Sequence, residues 1–81
     1  MHEYKVLGTP SCPYCTKAKE LLERFSIPYE YVDISRDPNL RFQYKAQGYK
    51  TVPIVIVDGD IIGGFTELQH FIVRNEPRIR G

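Results

Sequence analysis

The chain has no tryptophan, one methionine, two histidines and only two cysteines in 81 residues. With His2 and His70 far apart and no second cysteine pair, a four-ligand zinc site would need a second subunit. There is no surplus of charge of one sign. A net charge of +1, with the basic residues scattered, removes the electrostatic case for nucleic acid. There is no long apolar run either. The longest, Val52 to Val57, is interrupted by Pro53 and is far too short to span a bilayer. Met1-His2-Glu3-Tyr4 lacks the basic n-region and apolar h-region of a signal peptide, so a reducing cytoplasm is the expected compartment. No linker, repeat or low-complexity segment breaks the chain, and its length suits one domain over residues 1–81 with one modest core.

In that compartment the spacing of Cys12 and Cys15, in Ser11-Cys12-Pro13-Tyr14-Cys15, points to metal binding or electron exchange rather than to a structural staple. The missing second ligand pair favours redox chemistry.

The patterning predicts the order β-α-β-α-β-β-α. Tyr4 to Gly8 reads as a strand, broken by Gly8-Thr9-Pro10-Ser11. A helix should start at or just after Cys12, with Ser11 or Cys12 near the cap and Pro13 in its first turn. Cys15, Ala18, Leu22 and Phe25, with Leu21, make its apolar face. Lys17, Lys19 and Arg24 are read as a solvated face, with Lys17 also placed to steer an anionic partner. Ile27-Pro28 ends this helix, and Tyr29 to Ile34 is the second strand. Asp37-Pro38 caps a helix through Gln47 that Gly48 terminates, with Leu40 and Tyr44 facing the core. Ile54 to Val57 suits a buried strand; Asp58-Gly59 turns it into Asp60 to Gly63. Phe65, Leu68, Phe71 and Ile72 mark a last helix to about Arg74, beyond which Pro77 and the Arg-rich end should fray. The first two strands must then be parallel, joined by a right-handed crossover, and the last two form a hairpin. A four-stranded mixed sheet flanked by three helices, the thioredoxin-like α/β fold, accommodates this order.

The cysteine chemistry follows from that placement. An ordinary free thiol is only about 3% ionised at neutral pH. A thiol at a helix N-terminus meets unpaired amides and the positive end of the dipole, which favour its thiolate. Nucleophilicity falls as the thiolate is stabilised, so the main benefit is a better leaving group and faster resolution of mixed disulfides. Cys12 is therefore the expected nucleophile. Cys15, one turn on and facing the core, is the resolving thiol. Pro13 stiffens the turn, and Tyr14 offers an aromatic wall.

Two further segments have a bland reading and a sharp one. Thr51-Val52-Pro53 precedes the third strand. Its proline is either an ordinary trans residue at a strand edge, or the second half of a cis bond that sets the Val52 backbone beside Cys12 to pair with an extended thiol substrate. At Gly63-Gly64, Thr66 caps the last helix with Glu67 in its first turn, or a bare backbone holds a ligand carboxylate while Glu67 receives an ammonium. Tyr29, Tyr31, Tyr44 and Tyr49 are read as packing, His2 as a mobile terminal residue and His70 as a surface position.

Cys12-Pro13-Tyr14-Cys15, Thr51-Val52-Pro53 and Gly63-Gly64-Phe65-Thr66-Glu67-Leu68 stand in the order and spacing of glutaredoxins, and the resemblance covers nearly the whole chain. It implies a cis proline at Pro53. It also implies reduction of protein disulfides or glutathione mixed disulfides, with glutathione as reductant and no metal. The implied glutathione groove comprises Cys12, Tyr14, Thr51, Val52, Pro53, Gly64, Phe65, Thr66 and Glu67. The chain departs from the family where a basic residue commonly stands, at Thr9, and where a polar contact commonly stands, at Leu40; Arg41 or Lys50 are the candidate substitutes. Ala46-Gln47-Gly48-Tyr49-Lys50 also resembles the small redoxins that feed ribonucleotide reductase and are reduced by thioredoxin reductase. The reading is a compact bacterial or bacteriophage type of glutaredoxin, monomeric and cytoplasmic, donating electrons to ribonucleotide reductase. The alternatives are thioredoxin reductase as electron source, or a dimeric iron–sulfur or zinc module, which Pro13 disfavours.

Overall fold

The computed structural model describes residues 2–75. Its elements are β1 (Tyr4–Gly8), α1 (Pro13–Arg24), β2 (Tyr29–Asp33), α2 (Pro38–Ala46), β3 (Ile54–Val57), β4 (Asp60–Gly63) and α3 (Phe65–Asn75), in the expected order. The sheet order is β2-β1-β3-β4. β1 runs parallel to β2, with Tyr4 opposite Tyr29 and Gly8 opposite Asp33, and antiparallel to β3, with Leu7 opposite Ile54. β3 and β4 form the antiparallel hairpin, with a register shift between Val55 and Ile56. This is the thioredoxin-like arrangement.

Period-two alternation explains why both faces of the sheet are covered. Tyr4, Val6, Val55 and Val57 point to one face and pack with Ala18 and Leu22 of α1 and Leu68 and Ile72 of α3. Leu7 and Ile54 point to the other, where Ile34, Leu40 and Tyr44 meet them. Leu22 and Leu68 are completely buried, each contributing about 2 to 3 kcal/mol of hydrophobic stabilisation.

Ile34 belongs not to β2 but to a 3-10 turn over Ile34–Arg36. The Asp33 carboxylate accepts from the Ser35 amide at 3.0 Å and turns the chain out of the sheet. α2 stops at Ala46, with Gln47 at its cap, and α3 runs to Asn75. The end of α1 is closed by paired bonds from the Ser26 amide to the Glu23 carbonyl and from the Ile27 amide to the Leu22 carbonyl. Ser26 takes the left-handed conformation there. His2, expected to be free at the terminus, has partners: its Nδ1 lies 2.6 Å from an Asp58 carboxylate oxygen and its ring packs edge-on against Phe71. The fraying expected at Pro77 and the Arg-rich end lies outside the described residues.

The strand directions gather the three motifs. β1 and β4 run one way and β3 the other, so the end of β1, the start of β3 and the end of β4 lie at one edge of the sheet. That edge carries Cys12 and Cys15, Thr51-Val52-Pro53 and Gly63-Gly64.

Candidate active site

Cys12 is the N-cap of α1, extended at φ −95° and ψ 113°, and Pro13 occupies the first turn. Proline costs nothing at that position because its missing amide would have had no helical partner. Cys12 Sγ takes the place of a capping oxygen and accepts from the Cys15 amide at 3.2 Å. As a thiol it also donates to the Val52 carbonyl at 3.5 Å.

Cys15 is 1% exposed. Burial, first of all, and its contact with Cys12 push its thiol up to about 12, against opposing contributions from the Thr9 backbone and Lys19. The two cysteines thus sit in unlike environments, one half-buried at a helix start and one enclosed; both are free thiols here. The room for Cys15 comes from Gly8. A Cβ on Gly8 would stand 2.6 Å from Cys15 Sγ and 3.0 Å from Tyr31 Oη. Gly8 is the last residue of β1, as the sequence predicts, and provides this close approach. An isolated glycine at the end of an apolar strand was the available signal.

The Val52–Pro53 bond is cis, and the Val52 carbonyl faces Cys12. At the other side Gly64, not Thr66, caps α3: the Gly64 carbonyl accepts from the Leu68 amide at 3.0 Å. The Glu67 carboxylate folds back onto the Gly64 amide at 2.8 Å, the reciprocal half of a capping box. That bond is the main reason the Glu67 carboxyl lies below its ordinary value. Gly63, at φ +130°, would drive a Cβ to 2.6 Å from Glu67 Cγ, so the turn and the cap require glycine there.

Tyr14, Thr51, Val52, Pro53, Gly64, Phe65, Thr66 and Glu67 line one open groove of about 370 Å³. These are the eight groove residues expected besides Cys12, whose sulfur adjoins the groove through Val52. Tyr14 is 55% exposed, with its ring 5.9 Å from that of Phe65 and the Lys17 ammonium 4.9 Å from its centre. A larger concavity of about 620 Å³, reaching from His2 and Glu3 to Gly59, contains no cysteine. Neither Arg41 nor Lys50 lines the groove, Thr9 is buried, and Leu40 packs into the second core cluster. Lys19 is partly exposed, with its ammonium 4.2 Å from the centre of the Tyr31 ring. Among the described residues no group of three or more His, Cys, Asp or Glu is placed to hold a metal ion, and no helix is long and apolar enough to cross a membrane.

The glutaredoxin family model matches residues 4–62. Glutaredoxin 1 of Rickettsia conorii is 35% identical over 82 residues, covering 98% of this chain and 78% of its own. The structure of reduced Escherichia coli glutaredoxin superposes with a TM-score of 0.72 at 33% identity, over 90% of this chain and 95% of that one. The NrdH-redoxin of Escherichia coli shares the fold, with a TM-score of 0.77 at 24% identity over 93% of this chain and 96% of that one. With a cysteine pair at the start of α1 and a family match over most of its length, this chain belongs to the glutaredoxin family of thiol–disulfide oxidoreductases.

Proposed function

We propose that the whole chain acts as one glutaredoxin domain that reduces protein disulfides and glutathione mixed disulfides at the expense of glutathione. The observation that carries this reading is the groove beside Cys12, whose lining offers peptide backbone, two aromatic rings and a carboxylate to a short extended thiol peptide. Cys12 Sγ attacks one sulfur of the substrate disulfide; the S–S bond breaks, and the other sulfur leaves with the electron pair and takes up a proton. Cys15 then attacks Cys12 Sγ, releasing the second substrate thiol and closing a Cys12–Cys15 disulfide. One glutathione thiolate reopens that bond as a mixed disulfide on Cys12, and a second removes it as glutathione disulfide. On a glutathionylated substrate Cys12 suffices. A cytoplasmic monomer serving ribonucleotide reductase fits this chemistry.

The missing basic lining residue favours a second reading, in which thioredoxin reductase supplies the electrons. The deciding assay follows NADPH oxidation with glutathione and its reductase, and separately with thioredoxin reductase. Turnover is expected with glutathione; none there, with turnover by thioredoxin reductase, overturns the first reading. Cys12→Ser abolishes turnover, whereas Cys15→Ser retains it on small glutathionylated substrates.

A further inference from the structure

The resolving step leaves a proton to be disposed of. Cys15 must lose its thiol hydrogen as its sulfur attacks, yet it is 1% exposed. The Tyr31 phenol reaches the same small space from β2. A single methyl-sized point on Gly8 would touch both groups, 2.6 Å from Cys15 Sγ and 3.0 Å from Tyr31 Oη. Tyr31 itself is only half-buried. The Lys19 ammonium lies over its ring, 4.2 Å from the centre.

We propose that the Tyr31 hydroxyl relays the proton lost by Cys15 when it attacks a mixed disulfide on Cys12, with Lys19 holding the ring in place. This rests on the division of roles between Cys12 and Cys15 given above. A phenol both accepts and donates, so it takes the Cys15 hydrogen through one bridging water while releasing its own to solvent. The Cys15 sulfur forms its bond to Cys12 Sγ, the bond from Cys12 to the substrate sulfur breaks, and that sulfur leaves with the electron pair. No net charge stays on Tyr31. Burial, first, and then Cys15, Asp33 and Cys12 hold the phenol above its ordinary value, so it works as a neutral relay and not as a phenolate base. The Lys19 charge also favours the negative charge that develops on Cys15.

The test uses the reduced full chain and the disulfide of thionitrobenzoate, an electron-poor aromatic thiol that leaves without needing a proton. Cys12 releases the first thionitrobenzoate and Cys15 the second, so stopped-flow absorbance separates the two steps. Tyr31→Phe, which keeps the ring under Lys19, should slow the second release about tenfold or more, change its solvent isotope effect, and leave the first release within about twofold. Lys19→Met should slow the second release alone, by a smaller factor, and it keeps the question answerable if Tyr31→Phe fails to fold. A second release in Tyr31→Phe that matches the wild type overturns the relay. So does an equal slowing of both releases, which would make Tyr31 a packing residue. A wild-type protein that releases only one thionitrobenzoate removes the Cys15 role itself, a failure distinct from that of the relay.

Discussion

Replacing Gly8 with alanine adds one methyl group where the structure has no room for it. The new carbon would lie 2.6 Å from Cys15 Sγ, 2.9 Å from Cys15 Cβ and 3.0 Å from Tyr31 Oη. The two Cys15 atoms cannot retreat freely. Cys15 is fixed in the first turn of α1 against the core, and Gly8 is paired in the sheet opposite Asp33. Overpacking of this kind costs about 1 to 3 kcal/mol, which for a chain of this size lowers the melting temperature by roughly 5 to 20 °C. Thermal unfolding of the reduced protein by circular dichroism measures it. A double-mutant cycle with Cys15→Ala identifies the cause, because removing Sγ relieves the closest contact. Gly8→Ala should therefore cost less in the Cys15→Ala background, with a coupling of about 1 kcal/mol or more. An alanine variant that melts with the wild type would refute the proposed close packing. Strict additivity in the cycle would show that the cost arises elsewhere than at Cys15.

Two other predictions concern charge. Glu67→Gln keeps the hydrogen bond to the Gly64 amide but loses the charge, whereas Glu67→Ala removes both; the alanine variant should lower thermal stability more than the glutamine one, while both should raise the KM for glutathione if the carboxylate also meets its ammonium. The Cys15 thiol, with an ordinary value of 9.0, is held in the folded state at about 12, so the stability it contributes is complete below about pH 9 and is lost as pH rises towards 12. Denaturant unfolding of the reduced protein across that range should show the decline, to which the raised Tyr29 and Tyr31 phenols also contribute, and Cys15→Ser should make it shallower; identical profiles would refute the enclosed thiol.

Much of the fold was legible because its signals are local. The helix start at Cys12-Pro13, the cap at Asp37-Pro38 and the turn at Asp58-Gly59 each depend on backbone groups within a few residues. The 3-10 turn after Asp33 was missed although its signal is also local, because Val32 and Ile34, two residues apart, continue the strand alternation past the Asp33–Ser35 contact. At Gly63-Gly64 the glycine turn was read, but the cap was assigned to Thr66. The carboxylate three residues after Gly64 makes the capping box, and Thr66 falls inside the helix.

By itself the sequence determined the order of strands and helices and the spacing of the two cysteines, because period, caps and turn chemistry are properties of neighbouring residues. Only the tertiary structure decided what surrounds each sulfur. Gly8 of β1, Cys15 of α1 and Tyr31 of β2 converge although 7 and 16 residues separate them along the chain. Antiparallel pairing of β1 with β3 sets the Val52 carbonyl against Cys12, 40 residues away. Burial and hydrogen bonding, which make two identical thiols chemically unlike, arise from contacts across elements, and no local pattern encodes them.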